Sequence, residues 1–280
     1  MAINKFANEL FQGFSKCDLA NRLARLEKMG VLNRDEVKQL QHPEPLPTSL
    51  AEKLIENVIG YFHLPLGVAT NFNVDGKDVV IPMAVEETSI VAALSKTAKW
   101  IRANGHIQTE VIGNTTIGQL QIAIVNDFEK LKADIERNKH YLMSLANEDV
   151  VNGLFKRGGG IRDITVRKLA RGDGHDMAVI HVHTDCCDAM GANIINQILE
   201  FLKAPIEAMS GETISMCILS NLNDEKLTRA TVRINNIDPE LGPRLQEASL
   251  FAECDPYRAA THNKGVLNGM DAVLIATGND

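Results

Sequence analysis

Apolar positions recur three and four apart in DLANRLARLEKMG and SLAEKLIENVIG, which predicts helices over much of residues 1–57 with the proline-rich HPEPLP as connector. The period then changes. GVATNFNV and KDVVIPMAV read as extended strands joined by Asp75-Gly76, a dipeptide suited to a tight hairpin turn. EETSIVAALSKTAKWIRANG returns to helical spacing, with a stop at Asn104-Gly105.

Residues 109–219 read as a self-contained unit: strand QLQIAIV, helix FEKLKADIERNKHYLMSLA, strands IRDITVRKL and MAVIHVHTD, helix GANIINQILEFLKAPIEAM, strand ISMCILSNL. That β-α-β-β-α-β order predicts a small ferredoxin-like fold, an antiparallel sheet with helices on one face. The expected fold class is therefore α+β. A large domain supplies residues 1–108 and 220–280, and the small domain 109–219 is inserted into it. ATVRINNI reads as a further strand after the insertion.

The last helix carries the strongest pattern. Asp255 suits its N-cap and Pro256 its first position. At about 100° per residue, Arg258, Thr261, Lys264, Gly265 and Asn268 fall within a sector of roughly 120°. Ala259, Ala260, Val266, Leu267 and Met270 lie opposite, as a face expected to pack on the core. The polar face has no acid to pair its cations and keeps Gly265, with Gly269 nearby, both poor helix formers unless something approaches the backbone. An anionic ligand fits such a face; a merely solvated face is the plainer reading.

Composition adds exclusions. A net charge of -7 speaks against nucleic acid, whose phosphates need clustered Lys and Arg. No stretch approaches the roughly 18 apolar residues of a membrane span, and the amino terminus lacks a secretory pattern, so a cytoplasmic location is expected. Five irregularly spaced cysteines point to free thiols in a reducing compartment.

Three further stretches hold candidate chemistry. Glu86 and Glu87 stand where a strand hands over to a helix, so one carboxylate could be buried at a cleft, or both could simply complement the helix dipole. In TDCCDAMGANIINQ, Asp188 can cap the helix while Gly191 and Ala192 leave its first amides open to a phosphate. Gly158-Gly159-Gly160 permits a similar approach, or a plain turn. His181, His183 and Asp185 share a strand face beside Cys186 and Cys187, but no paired CxxC or HExxH accompanies them and no metal is expected.

Taken in order, ENVIG, LPLGVATNF, EETSIVAA, RGGGIRDI, DAMGAN, ILSNL and DPYRAATHNKGVLNG followed by ATGND resemble the hydroxymethylglutaryl-CoA reductases of the bacterial class II type over nearly the whole chain. The resemblance implies interconversion of hydroxymethylglutaryl-CoA and mevalonate plus CoA through two hydride transfers. It gives Lys264 the role of stabilising an oxyanion, Glu87 that of giving and taking protons, and Asp280 that of tuning both. Arg258, Asn268, Ser89 and Asn221 match substrate-contact positions. Asp188, Met190, Gly191, Ala192 and Asn193 match the cofactor loop, and Glu148 or Asp149 the acid near the adenine ribose, with NAD or NADP both open. The resemblance further implies a homodimer, and a family sequence that continues past ATGND with the rest of the large domain and a mobile domain bearing a catalytic histidine. None of the eight histidines here matches that one by position. A second reading is a fragment that binds CoA or dimerises without turnover.

Overall fold

The computed structural model describes residues 9–44 and 46–279. Contacts divide the chain into two units, Met1–Thr109 with Ala230–Asp280 and, between them in sequence, Glu110–Arg229.

In the first unit, α1 (Leu19–Lys28) is capped by Asp18, and α2 (Arg34–Gln41) opens with a reciprocal Asn33–Glu36 capping box. The helix expected over SLAEKLIENVIG is cut to one turn, Thr48–Ala51. Beyond Ala51 the side chains of Leu54 and Ile55 stay exposed and Asn57 takes a left-handed conformation, so helical spacing there finds no surface to bury against. Strands β1 (Leu66–Val74) and β2 (Lys77–Ala84) form the expected hairpin, Val74 opposite Lys77. Both turn residues have positive φ, 50° at Asp75 and 77° at Gly76, the geometry that matches strand twist. Helix α3 (Ile90–Asn104) follows and ends where Asn104-Gly105 predicts.

Gly105 has a different reason to be glycine from the one the sequence suggests. Its φ of -167° is ordinary extended backbone, but a Cβ there would stand 1.8 Å from the Arg233 carbonyl. It opens β3 (Gly105–Ile112), a strand the apolar pattern does not announce, and the sheet order is β2-β1-β3-β8 with β8 at Leu227–Ile234. Two helices close the chain, α6 (Leu241–Cys254) and α7 (Pro256–Ala276). A small core of Ala69, Met83 and Ala272, with Ile81, Val85, Ile90, Val91, Leu94 and Val273 around it, ties α7 to the end of β2 and the start of α3.

The second unit runs β4 (Thr115–Ile122), α4 (Phe128–Asp149), the single turn Asn152–Lys156, β5 (Gly160–Ala170), β6 (Asp176–Asp185), α5 (Ala192–Ser210) and β7 (Met216–Leu219). Its sheet order is β5-β6-β4-β7 with every pair antiparallel, the ferredoxin-like arrangement. The first strand starts four residues before QLQIAIV and ends at Ile122. Leu120, Ile122, Ile164, Ile180 and Val182 point from the sheet onto Leu131, Ile135, Ile195, Ile198 and Leu199 of α4 and α5 in one core.

Candidate active site

Glu87 lies three residues past Ala84, the last residue of β2, and three before Ile90, the first of α3, so two elements anchored in the same small core fix its backbone. Opposite it, α7 is capped by Asp255, whose carboxylate accepts from the Arg258 amide at 2.8 Å, with Pro256 in the first turn as expected. From this helix Lys264 Nζ reaches Glu87 Oε2 at 2.6 Å, and Asn268 Nδ2 donates to the same oxygen at 3.2 Å. Of the two readings of the Glu86-Glu87 pair, a carboxylate sunk in a cleft is not what the fold shows, since neither acid is buried and Glu87 keeps about half its side chain accessible. An ammonium has three donors and Glu87 takes one, so the remaining two can meet a second acceptor.

The polar face of α7 is as expected, but the apolar back is not in a core. Val266, Leu267 and Met270 are each about half exposed, and among the described residues Ala272 is the buried member of α7. Helical phase explains the difference. Asn268 and Gly269 are partly covered on the side facing α3, where a Cβ on Gly269 would lie 3.9 Å from Leu94 Cδ1, whereas Gly265 faces open space.

In the second unit, α5 starts at Gly191, a residue with φ of 102° and no side-chain cap, which corrects the expected cap by Asp188. A Cβ on Gly191 would meet Cys186 Sγ at 2.6 Å. The first amides of α5 therefore have no side-chain cap, which leaves them open to an anion. The neighbouring glycines serve close packing within the chain: a Cβ on Gly160 would strike Asn147 Oδ1 at 2.5 Å, and one on Gly159 the Asp185 carbonyl at 2.7 Å.

A family model described as hydroxymethylglutaryl-coenzyme A reductase matches residues 18–280. The chain belongs to the hydroxymethylglutaryl-coenzyme A reductase family. It is 39% identical over 282 residues to the reductase of Archaeoglobus fulgidus, covering 99% of this chain and 64% of that one. A probable reductase of Borreliella burgdorferi is 31% identical, with 81% and 53% covered. The chain therefore spans between about half and two thirds of these relatives. Solved reductases of Streptococcus pneumoniae superpose with a TM-score of 0.89 at 38% identity over 96% of this chain, one of them a class II enzyme bound to NADPH in open conformations.

The remaining candidate residues belong to several elements. Ser89 sits at the start of α3 in a left-handed conformation, φ 72°, which a serine rarely adopts. Arg258 is half-buried in the first turn of α7. Asn221 is exposed in the second unit, and Glu148 and Asp149 are exposed at the end of α4. Asp280 lies outside the described residues.

His181 and His183 do share a strand face with Asp185, but both nitrogens of His183 and Nε2 of His181 are engaged within the unit. His183 Nδ1 donates to Glu225 Oε2 at 2.7 Å and its Nε2 lies 3.0 Å from Thr165 Oγ1; Gln119 Nε2 stands 3.0 Å from His181 Nε2. Burial pushes the His181 pKa down and the Cys186 thiol up, so the first stays neutral and the second protonated. Asp185, a conceivable metal ligand by its place in the sequence, is an acceptor for Asn114, Arg162 and the Cys187 amide. Burial alone would raise the Asp185 pKa, yet the bonds from the Cys187 amide and Arg162 and the Arg162 charge hold it below its ordinary value.

Proposed function

We propose that this chain carries the reductase chemistry of its family. Hydroxymethylglutaryl-CoA, two reduced nicotinamide dinucleotides and two protons give mevalonate, CoA and two oxidised dinucleotides, or the reverse. The observation that carries the reading is the contact of Lys264 with Glu87, held by Asn268 on the same oxygen.

As the thioester carbonyl carbon gains hydride, its oxygen takes up negative charge. Lys264 donates to that oxygen from a fixed helix, which is preorganised stabilisation. Glu87 exchanges the proton with the same oxygen through its bond to Lys264. Asp280 is the proposed third charge of this set. Arg258 holds the substrate carboxylate by its planar fork, with Ser89 and Asn221 as further contacts. The nicotinamide dinucleotide, NAD or NADP, supplies or accepts the hydrides. Asp188, Met190, Gly191, Ala192 and Asn193 hold its phosphates at the start of α5, with Glu148 or Asp149 near the ribose. The NADPH-bound S. pneumoniae relative supports the use of a nicotinamide dinucleotide.

A second copy of the chain is the proposed partner. The half-exposed Leu245, Phe251, Val266, Leu267 and Met270 of α6 and α7 support it, since apolar side chains left in water on two consecutive helices gain from being covered. A cytoplasmic location suits free cysteines and the observation that no helix among the described residues is long and apolar enough to cross a membrane.

The test is dinucleotide oxidation by the purified chain with hydroxymethylglutaryl-CoA, alongside calorimetric binding of the thioester. Turnover supports the full reading. Binding without turnover supports a silent CoA-binding fragment, and neither binding nor turnover overturns both.

A further inference from the structure

Asp185 ends β6 and is buried to 7% exposure, where an unpaired carboxylate would be costly. Three segments of the second unit converge on it. Its Oδ1 accepts from the Cys187 amide at 2.9 Å, two residues on, which folds the chain back toward the α5 loop. Its Oδ2 accepts from Asn114 Nδ2 at 2.6 Å and from Arg162 Nη2 at 3.1 Å. The same Arg162 nitrogen donates to the Gly158 carbonyl. Cys187 has φ of 51°, a conformation that residues other than glycine seldom hold without an imposed bond.

We propose that Asp185 is the positioning residue of the dinucleotide site, fixing the Asp188–Asn193 loop against the Gly158–Gly160 turn. The inference rests on the dinucleotide reading given above. Asp185 acts through the backbone of Cys187 and through Arg162, without touching the ligand. A purely structural role is disfavoured by the ladder: β6 is held along its length by β4 on one side and β5 on the other. Loss of one terminal carboxylate leaves that sheet in place and frees the loop.

Fluorescence titration of the purified chain with NADPH and with NADH tests this, with thermal unfolding as the control for folding. Asp185→Ala should weaken dinucleotide binding about tenfold or more, the loss expected for buried charged hydrogen bonds. Asp185→Asn should fall between, because an amide oxygen can still accept from Cys187 but cannot pair with Arg162. Arg162→Gln, at a half-exposed position, should weaken binding about threefold and carries the test if Asp185→Ala does not fold. Affinity for hydroxymethylglutaryl-CoA should stay unchanged throughout. Unaltered dinucleotide affinity in a folded Asp185→Ala or in Arg162→Gln overturns the positioning role. Absence of dinucleotide binding by the unmodified chain overturns the dinucleotide reading itself, and the inference with it.

Discussion

Lys264 and Glu87 stand 177 positions apart in the chain, and their side chains meet at 2.6 Å. Both are substantially exposed, so the pair contributes about 0–1 kcal/mol to stability. The proposed oxyanion role predicts that this contact matters to turnover far more than to the fold. Lys264→Ala should leave thermal unfolding within a few degrees of the unmodified chain and lower turnover by about a hundredfold or more, as for loss of a preorganised donor. Retained turnover with a lowered melting point would point to a structural ion pair instead.

Asn268 divides the same oxygen of Glu87 with Lys264. Asn268→Ala should reduce kcat about tenfold with little change in stability, because Glu87 loses one of two restraints. Asn268→Asp should do worse, since it sets a second carboxylate where an amide donated. Steady-state kinetics on the two variants decides; equal activities would remove the restraint argument.

Much of this organisation is legible in the sequence, for identifiable reasons. The Asp75-Gly76 turn, the Asp255-Pro256 helix start and the alternating β-α-β-β-α-β order each follow from local chemistry, and local chemistry survives into the fold. The helix expected over Leu54 and Ile55 fails because periodicity predicts a face without predicting a surface to bury it. For α7 the same limit applies in reverse: its apolar stripe is real, but Ala272 rather than Leu267 turns inward. The meeting of Glu87 with Lys264 came from family motifs, and the convergence of Asn114, Arg162 and Asp185 has no linear signal, since three distant segments supply it.

Asp78 and Arg102 offer a test by pH. Two parallel bonds of 2.6 and 3.0 Å join them, and each side chain is about one tenth exposed. Burial would raise the Asp78 pKa, but bonds from Arg102 and Asn73 and the Arg102 charge outweigh it and hold the pKa below its ordinary 3.8. A depressed folded-state pKa gives stability that is complete above the unfolded value and lost as pH falls through the folded one. Asp78→Asn should therefore destabilise by about 3 kcal/mol at neutral pH. The gap to the unmodified chain should narrow in urea unfolding as pH drops below 3.8. A gap independent of pH would show that packing, and not charge, is what the substitution removes.

Gly118 of β4 lies under α5, where a Cβ would stand 2.7 Å from Ile195 Cγ2 and 2.8 Å from Leu199 Cδ2. Gly118→Ala should cost about 1–3 kcal/mol through overpacking, read as a lowered denaturant midpoint. The neighbouring Leu199→Ala should partly relieve it in the double variant. Strictly additive effects would mean that the helix shifts freely.

The closely packed Gly105 has a consequence for the order in which the molecule assembles. It lets β3 run beside β8, and the Asn235 amide then bonds to the Asn104 carbonyl at 2.7 Å, closing a loop that contains the whole second unit. Closing about 120 disordered residues costs about 4 kcal/mol in chain entropy. Once the second unit has folded, its own ends are already joined by Arg229 and Glu110 at 2.7 Å, and that cost has been met. Pulsed hydrogen exchange should accordingly protect the Ile180 amide before that of Asn235, so that the strand closure around Gly105 comes after the inserted segment has brought its own ends together.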